Sequence, residues 1–116
     1  FRKNLLELYS EKCVITACPI KDVLEAAHIL RHSISGINHS SNGLLLRSDI
    51  HSLFDSNKIK INPNDYTVEV DDSLKNSNYW QYNGKRINPS INGEYPSKEY
   101  LSIKYSDLPH QLITSD

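Results

Sequence analysis

The sequence has no methionine, only two cysteines and no long apolar run among its 116 residues. A membrane-spanning helix needs about 18 consecutive apolar residues, so no such helix is expected. The charged opening Phe1-Arg2-Lys3-Asn4 leads into no long apolar stretch, which argues against a secretory signal peptide. We therefore expect a cytoplasmic protein. Because a natural chain starts with methionine, we also expect these residues to be a segment of a longer, multidomain protein.

The scarcity of cysteine limits the ways in which the fold can be stabilised. Cys13 and Cys18 are separated by four residues, and no second pair follows them. Small secreted domains that depend on disulfides contain more cysteines. The Cys-x4-Cys spacing is also looser than in the usual zinc knuckle, and a structural zinc needs four ligands. We expect reduced, partly buried thiols and no structural zinc.

An excess of basic residues is also absent. Lys and Arg total 13, Asp and Glu total 14, and the formal net charge is −1. Phosphate contacts need local positive charge, so this balance argues against indiscriminate nucleic-acid binding. It does not exclude an enzyme that acts on nucleic acid, because a bound cation and a few arginines can supply the charge. The length predicts one compact domain over residues 1–116.

The sequence does contain a regular succession of apolar and polar segments. Some have the helical period and others alternate as strands do, which predicts an α+β fold. Ser48 is a candidate helix N-cap. In chain order we predict a helix at 2–9, a strand near 24–30, a loop rich in Ser, Asn and Gly, a strand near 44–47, a helix near 48–56, a hairpin at 58–70 and a helix at 97–108.

Four polar residues in the middle of the chain form a candidate catalytic group. His28 lies in the first predicted strand, Asn42 starts the second, and His51 and Asp55 lie one turn apart on the next helix. An imidazole and a carboxylate so placed can share a divalent cation and leave positions for water and phosphate. A strand histidine that faces the cation suits a general base, because imidazole titrates near neutral pH. The amide of Asn42 can bridge backbone groups across the loop.

Taken one at a time, these residues have simpler explanations. A lone His28 in an apolar strand is more often a hydrogen-bonded core residue. His51 and Asp55 could be a helix-surface pair worth roughly a few tenths of a kcal/mol, and Asn42-Gly43 could be an ordinary turn. Their order and spacing together favour the catalytic interpretation.

The order His28, Asn42, His51, with nine residues from Asn42 to His51, resembles the HNH nucleases, also called ββα-metal or His-Me finger nucleases. The tract LEAAHIL…NGLLLRSDIHSLFD is similar in particular to the HNH domains of bacterial restriction and defence enzymes. The opening FRKNLLELYSEKCVIT resembles the segment that leads into those domains. The similarity extends from Phe1 to about Val70 and is only loose in the last third.

This resemblance implies a ββα-metal core to which the hairpin and flanking helices are added. It implies hydrolysis of DNA phosphodiester bonds, in bacterial restriction or anti-phage defence. His28 would be the general base, Asn42 the residue that braces the loop, and His51 the catalytic metal ligand. Asp55 would be a further ligand of Mg²⁺, Mn²⁺ or another divalent cation. The alternative is a catalytically inactive HNH-fold module that binds nucleic acid.

The sequence departs from the common family pattern in two places. Many relatives have Asp or His directly before the base histidine as a metal ligand, whereas this chain has Ala27. His51 and Asp55 would then hold the cation alone, or with help from Glu25 or Asp49. The cysteine pairs that bind a structural zinc in many relatives are also missing, so the core must hold the fold together.

Three basic residues flank the candidate site. Arg31, His32 and Arg47 are expected to contact phosphates, although solvation at the surface is an equal alternative. The expected partners are double-stranded DNA and other domains of the full-length chain. A homo-oligomer stays an open alternative, and no membrane contact is expected.

Overall fold

The computed structural model describes residues 1–31 and 39–106. The fold of these residues is α+β, as predicted, with two small antiparallel sheets among the helices. The elements, in chain order, are α1 (Arg2–Leu8), β1 (Leu24–His28), β2 (Gly43–Arg47), α2 (Ser48–Asp55), β3 (Ile59–Ile61), β4 (Val68–Val70) and α3 (Lys98–Tyr105). In this part of the chain, no helix combines the length and apolar character needed to cross a membrane.

The first sheet is the antiparallel pair of β1 and β2, with His28 opposite Gly43 in its register. Leu44, Leu45 and Leu46 are all completely buried. Successive strand residues point to opposite faces, so three consecutive buried leucines mean that both faces of β2 are covered. Both α1 and α2 pack against this sheet.

Helix α2 follows β2 without a loop, and it buries Ile50 and Phe54. The prediction that Ser48 caps this helix is wrong, because Arg47 occupies the cap position, no side chain caps the helix there, and Ser48 is the first helical residue. The first turn uses Asp49 instead, whose Oδ1 accepts a hydrogen bond from the N–H of Ile50 at 2.9 Å. A carboxylate suits this position because the first amides of a helix are unpaired and carry partial positive charge.

The predicted hairpin at 58–70 is confirmed. Strands β3 and β4 pair antiparallel, with Ile59 opposite Val70 and Ile61 opposite Val68, and all four side chains are buried. The intervening turn is stabilised by Asn62, whose Oδ1 accepts from the N–H of Asn64 at 2.8 Å. Alternating apolar residues on either side of an Asn/Pro/Asp turn therefore gave a reliable hairpin signal here.

Helix α3 begins as predicted, since the Oγ of Ser97 accepts from the N–H of Tyr100 at 3.1 Å and caps it. Its predicted end at Leu108 lies outside the described residues. Lys104 on this helix places its Nζ 4.6 Å from the ring centroid of Phe54. The same ammonium donates to the Oδ1 of Asn57 at 3.2 Å. These contacts connect α3 to the end of α2.

Asp49 connects the start of α2 to the turn at Asn78–Tyr82. Its carboxylate accepts two hydrogen bonds from Arg47, at 2.7 and 3.0 Å, and one from the hydroxyl of Tyr79 at 2.9 Å. The hydrogen bond from Arg47 is the main reason that the pKa of Asp49 falls to about 2. Asp49 is therefore a structural junction whose two oxygens are both in use.

We expect Asp49→Ala to lower the free energy of unfolding by about 1–3 kcal/mol, because it breaks the bidentate pair and leaves the Ile50 amide without its acceptor. Partial exposure of the pair keeps the loss below that of a buried ion pair. Urea unfolding followed by Trp80 fluorescence measures the change. Asp72→Ala, an exposed aspartate, is the control, and equal midpoints for the two variants would contradict the prediction.

Candidate functional site

Asn42 joins the two ends of the segment between β1 and β2. It is completely buried, and its Oδ1 accepts from the N–H of Leu30 at 2.8 Å while its Nδ2 donates to the carbonyl of Leu30 at 3.0 Å. The backbone adds a third bond, from the N–H of Ile29 to the carbonyl of Asn42 at 2.9 Å. These bonds fix the chain directly after His28. The bridging geometry is the one expected for Asn42 from the sequence.

His28 ends β1, where its side chain is half-buried. Its imidazole lies flat against the ring of Phe1, with centroids 4.1 Å apart and an angle of 3° between the planes. The strand opposite contributes Gly43 at this point. The imidazole therefore lies at the edge of the first sheet, next to the segment that Asn42 fixes.

His51 lies between two carboxylates. Its Nδ1 is 2.7 Å from the Oε1 of Glu25 on β1, and its Nε2 is 3.3 Å from the Oδ2 of Asp55 on the next turn of α2. The exposed fraction is 24% for the imidazole, 48% for Glu25 and 55% for Asp55. The two carboxylates are therefore about half exposed to solvent, while the imidazole between them is more buried and is held by both.

The two carboxylates control the charge of the imidazole. The hydrogen bond to Asp55, with a further one to Glu25, outweighs partial burial and raises the pKa of His51 to about 9. Partial burial opposes ionisation of Asp55, but the hydrogen bond from His51 and the charges of Lys104 and Arg31 lower the pKa of that carboxyl. Without a metal, His51 is therefore a cation near neutral pH. Because a ligating imidazole must be neutral, a metal ion would have to displace its proton.

His51 and Asp55 fit the requirements of a shared divalent cation. Bonds of about 2.1 Å at right angles place two ligand atoms about 3.0 Å apart, and the Nε2 of His51 and Oδ2 of Asp55 are 3.3 Å apart. Glu25 faces the other ring nitrogen, as carboxylates that orient a ligating histidine do. Among residues 1–31 and 39–106, no three His, Cys, Asp or Glu side chains are grouped so that they could hold a metal together.

The other candidate ligands are poorly suited to that role. Ala27 cannot be a ligand, because it is completely buried and has only a methyl group at the position where the HNH resemblance would imply one. Both oxygens of Asp49 already accept hydrogen bonds from Arg47, and one also accepts from Tyr79. Glu25 contacts the Nδ1 of His51, whereas Asp55 lies beside its Nε2. Among these side chains, the Nε2 of His51 and the carboxylate of Asp55 are therefore the ligand atoms that could share one cation.

The structure places two of the three predicted phosphate contacts, Arg31 and Arg47, in different parts of the domain. Arg31 is exposed and lies close enough to Asp55 for its charge to lower the pKa of that carboxyl. Arg47 lies at the opposite end of the β1–β2 pair from His28, and its guanidinium is engaged with Asp49. His32 lies outside the described residues. Of the two arginines, Arg31 is therefore the one closer to His51 and Asp55.

Three contributors to this region were not predicted from the sequence. These are the ring of Phe1 against His28, the hydrogen bond that Glu25 accepts from the Nδ1 of His51, and the charge of Lys104 near Asp55. All three join distant parts of the chain. The sequence suggests Glu25 only as an additional metal ligand. Its charge in a mostly apolar strand was the one available signal, and Phe1 and Lys104 gave none.

Residues 13–62 match a family described as HNH endonuclease. This segment of the chain therefore resembles an HNH endonuclease domain. The matched segment includes β1, β2 and α2, and it contains His28, Asn42, His51 and Asp55. The family match therefore coincides with the part of the chain that contains the candidate site.

The chain also has a similar fold among solved structures. It is similar to a "Modification dependent TagI restriction endonuclease", with a TM-score of 0.69 and 18% sequence identity. The superposed region covers 93% of this chain but only 37% of that chain, so this chain spans little more than a third of its length. At this identity the similarity concerns the fold. No match was found among curated proteins.

We expect Asn42→Ala to lower the free energy of unfolding by about 2–3 kcal/mol, because it leaves the N–H and the carbonyl of Leu30 without their partner. Chemical denaturation measures the loss. Asn76→Ala, at an exposed position, is the matched control and should unfold like the parent chain. If Asn42→Ala unfolds with it, the side chain does not brace the segment.

Proposed function

We propose that this chain is the catalytic domain of a metal-dependent DNA endonuclease that hydrolyses phosphodiester bonds. The observation that carries the proposal is the His51–Asp55 pair, which Glu25 links to β1, the strand that ends in His28. Water activation and charge stabilisation at a phosphate need an imidazole base and a cation in the same region. The HNH match over residues 13–62 supports the same chemistry.

In the proposed reaction, His28 is the general base. Its imidazole takes a proton from water, the oxygen of that water bonds to phosphorus, and the bond from phosphorus to the 3′-oxygen breaks. The departing oxygen acquires a proton from solvent, which leaves 5′-phosphate and 3′-hydroxyl ends, as the family resemblance implies. Asn42 contributes by fixing the backbone that follows His28.

His51 and Asp55 would hold Mg²⁺, Mn²⁺ or another divalent cation. When bound, the cation supplies positive charge to the phosphate and to the departing oxygen. Glu25 accepts a hydrogen bond from the Nδ1–H of His51, which fixes the ring and leaves Nε2, on the side of Asp55, as the ligating nitrogen. Glu25 is therefore a positioning residue in this proposal.

The proposed substrate is double-stranded DNA, in restriction or anti-phage defence in a bacterial cytoplasm. Arg31 is the best-placed phosphate contact, and Arg47 and His32 remain further candidates. With a formal net charge of −1, the domain needs other parts of the full-length protein for much of its affinity. The fold counterpart, described as a modification-dependent restriction endonuclease, supports a place in restriction.

A second candidate function is a catalytically inactive module that binds nucleic acid. The buried methyl of Ala27, at a position where many relatives have a metal ligand, favours it. Nicking of supercoiled plasmid DNA with and without Mn²⁺ separates the two. Metal-dependent nicking supports the endonuclease, whereas DNA binding without any strand break supports the inactive module.

We expect His28→Ala to reduce the rate of plasmid nicking by about 10²–10⁴-fold, the usual cost of losing a general base. The matched control is His39→Asn, because asparagine can keep the cap that His39 provides to the N–H of Ser41. The control should cut at nearly the parental rate. Parental activity in His28→Ala would remove this residue from the mechanism.

We expect His51→Ala and Asp55→Ala each to weaken Mn²⁺ binding by at least about tenfold, because each removes a donor from the pair. Glu25→Gln should weaken it about 10–100-fold by disturbing the orientation of His51. Calorimetric titration of the protein without DNA measures these affinities. Glu99→Gln, on the exposed side of α3, is the control, and titration curves that do not differ from it would exclude the proposed ligands.

A further inference from the structure

The ring of Phe1 covers one face of the imidazole of His28. The two rings are stacked, with an angle of 3° between their planes and their centroids 4.1 Å apart. Phe1 directly precedes α1, and its carbonyl accepts from the N–H of Leu5 at 3.1 Å, so the helix holds its backbone in place. An aromatic ring anchored in this way restricts rotation of the imidazole about its outer torsion, which is otherwise broad in histidine.

Gly43 provides the space for this arrangement. It lies opposite His28 in the sheet, and a Cβ built on it would lie 2.7 Å from the Cζ of Phe1 and 2.8 Å from the Cδ1 of Leu5. Contacts this short force a side chain to move. The backbone of Gly43 is extended, with φ −135° and ψ 152°, so glycine is needed here for space rather than for an unusual backbone conformation.

We propose that Phe1 and Gly43 form an aromatic shelf that positions the imidazole of His28 for proton transfer. The proposal rests on the proposed function, in which His28 is the base. Phe1 touches neither water nor phosphate in this reaction, so it is a positioning residue. A base must lie within hydrogen-bond reach of the proton that it removes, and a misplacement of about 1 Å can cost roughly 10²-fold in rate.

Phe1→Leu tests the shelf in the 116-residue chain. Leucine keeps an apolar side chain beside Leu5 but removes the planar ring, and Phe1→Tyr restores the ring. We expect Phe1→Leu to slow single-turnover plasmid nicking by about 10–100-fold while the affinity for DNA stays within about twofold. Phe1→Tyr should return the rate to within about threefold of the parent. Gly43→Ala should behave like Phe1→Leu, because its methyl displaces the ring.

Nuclear magnetic resonance of the imidazole protons tests the contact independently of catalysis. A ring stacked on His28 shifts those protons upfield, so Phe1→Leu should move them downfield, and His28→Ala identifies the resonance. Leu6→Val changes a buried residue of α1, the helix that follows Phe1, and is the control for a general loss of packing. It should lower stability without moving the His28 resonance or the rate of the folded protein.

The results separate failure of the shelf from failure of the proposed function. If the parent chain cuts DNA and Phe1→Leu cuts equally fast, the positioning role is wrong and the function stands. An unmoved His28 resonance in Phe1→Leu overturns the shelf itself. A parent chain that never cuts overturns the base and its positioning together, whatever the resonance does.

Discussion

The geometry of the domain depends most on the side chain of Asn42. It pairs with both backbone groups of Leu30 from a completely buried position, where unpaired backbone groups are costly. An apolar residue could fill the space but could not bond to the chain. The hydrogen bonds of Asn42 fix the chain after His28, and the β1–β2 ladder fixes the chain before it. Together they set the position of His28.

The formal net charge of −1 conceals a local arrangement of charged side chains around His51. Glu25 and Asp55 lie on opposite nitrogens of His51, and the basic residues Arg31 and Lys104 are near enough to act on Asp55. Basic side chains therefore lie near the acidic group at the C-terminal end of α2. Composition averages over the whole chain, so it could not reveal this distribution.

Much of the fold follows from local sequence patterns. The leucines at 44–46 predicted a short strand, and the four-residue spacing of His51 and Asp55 predicted that they share one helical face. Both predictions depend only on residues that are near neighbours in the sequence. The prediction that Ser48 caps α2 was wrong. Asp49 instead accepts the hydrogen bond from a backbone N–H in the first turn of this helix. The contacts that Glu25 and Phe1 make over 26 and 27 residues depend on how elements pack, which periodicity does not encode.

Strand β1 has only five residues, yet Glu25 and His28 both lie on it. Side chains alternate along a strand, so slippage by one residue against β2 would turn both to the opposite face at once. A chain folded in the wrong register would lose the proposed base and the group that orients His51 in a single error. Correct pairing of β1 with β2 is therefore a single folding event on which the positions of both side chains depend.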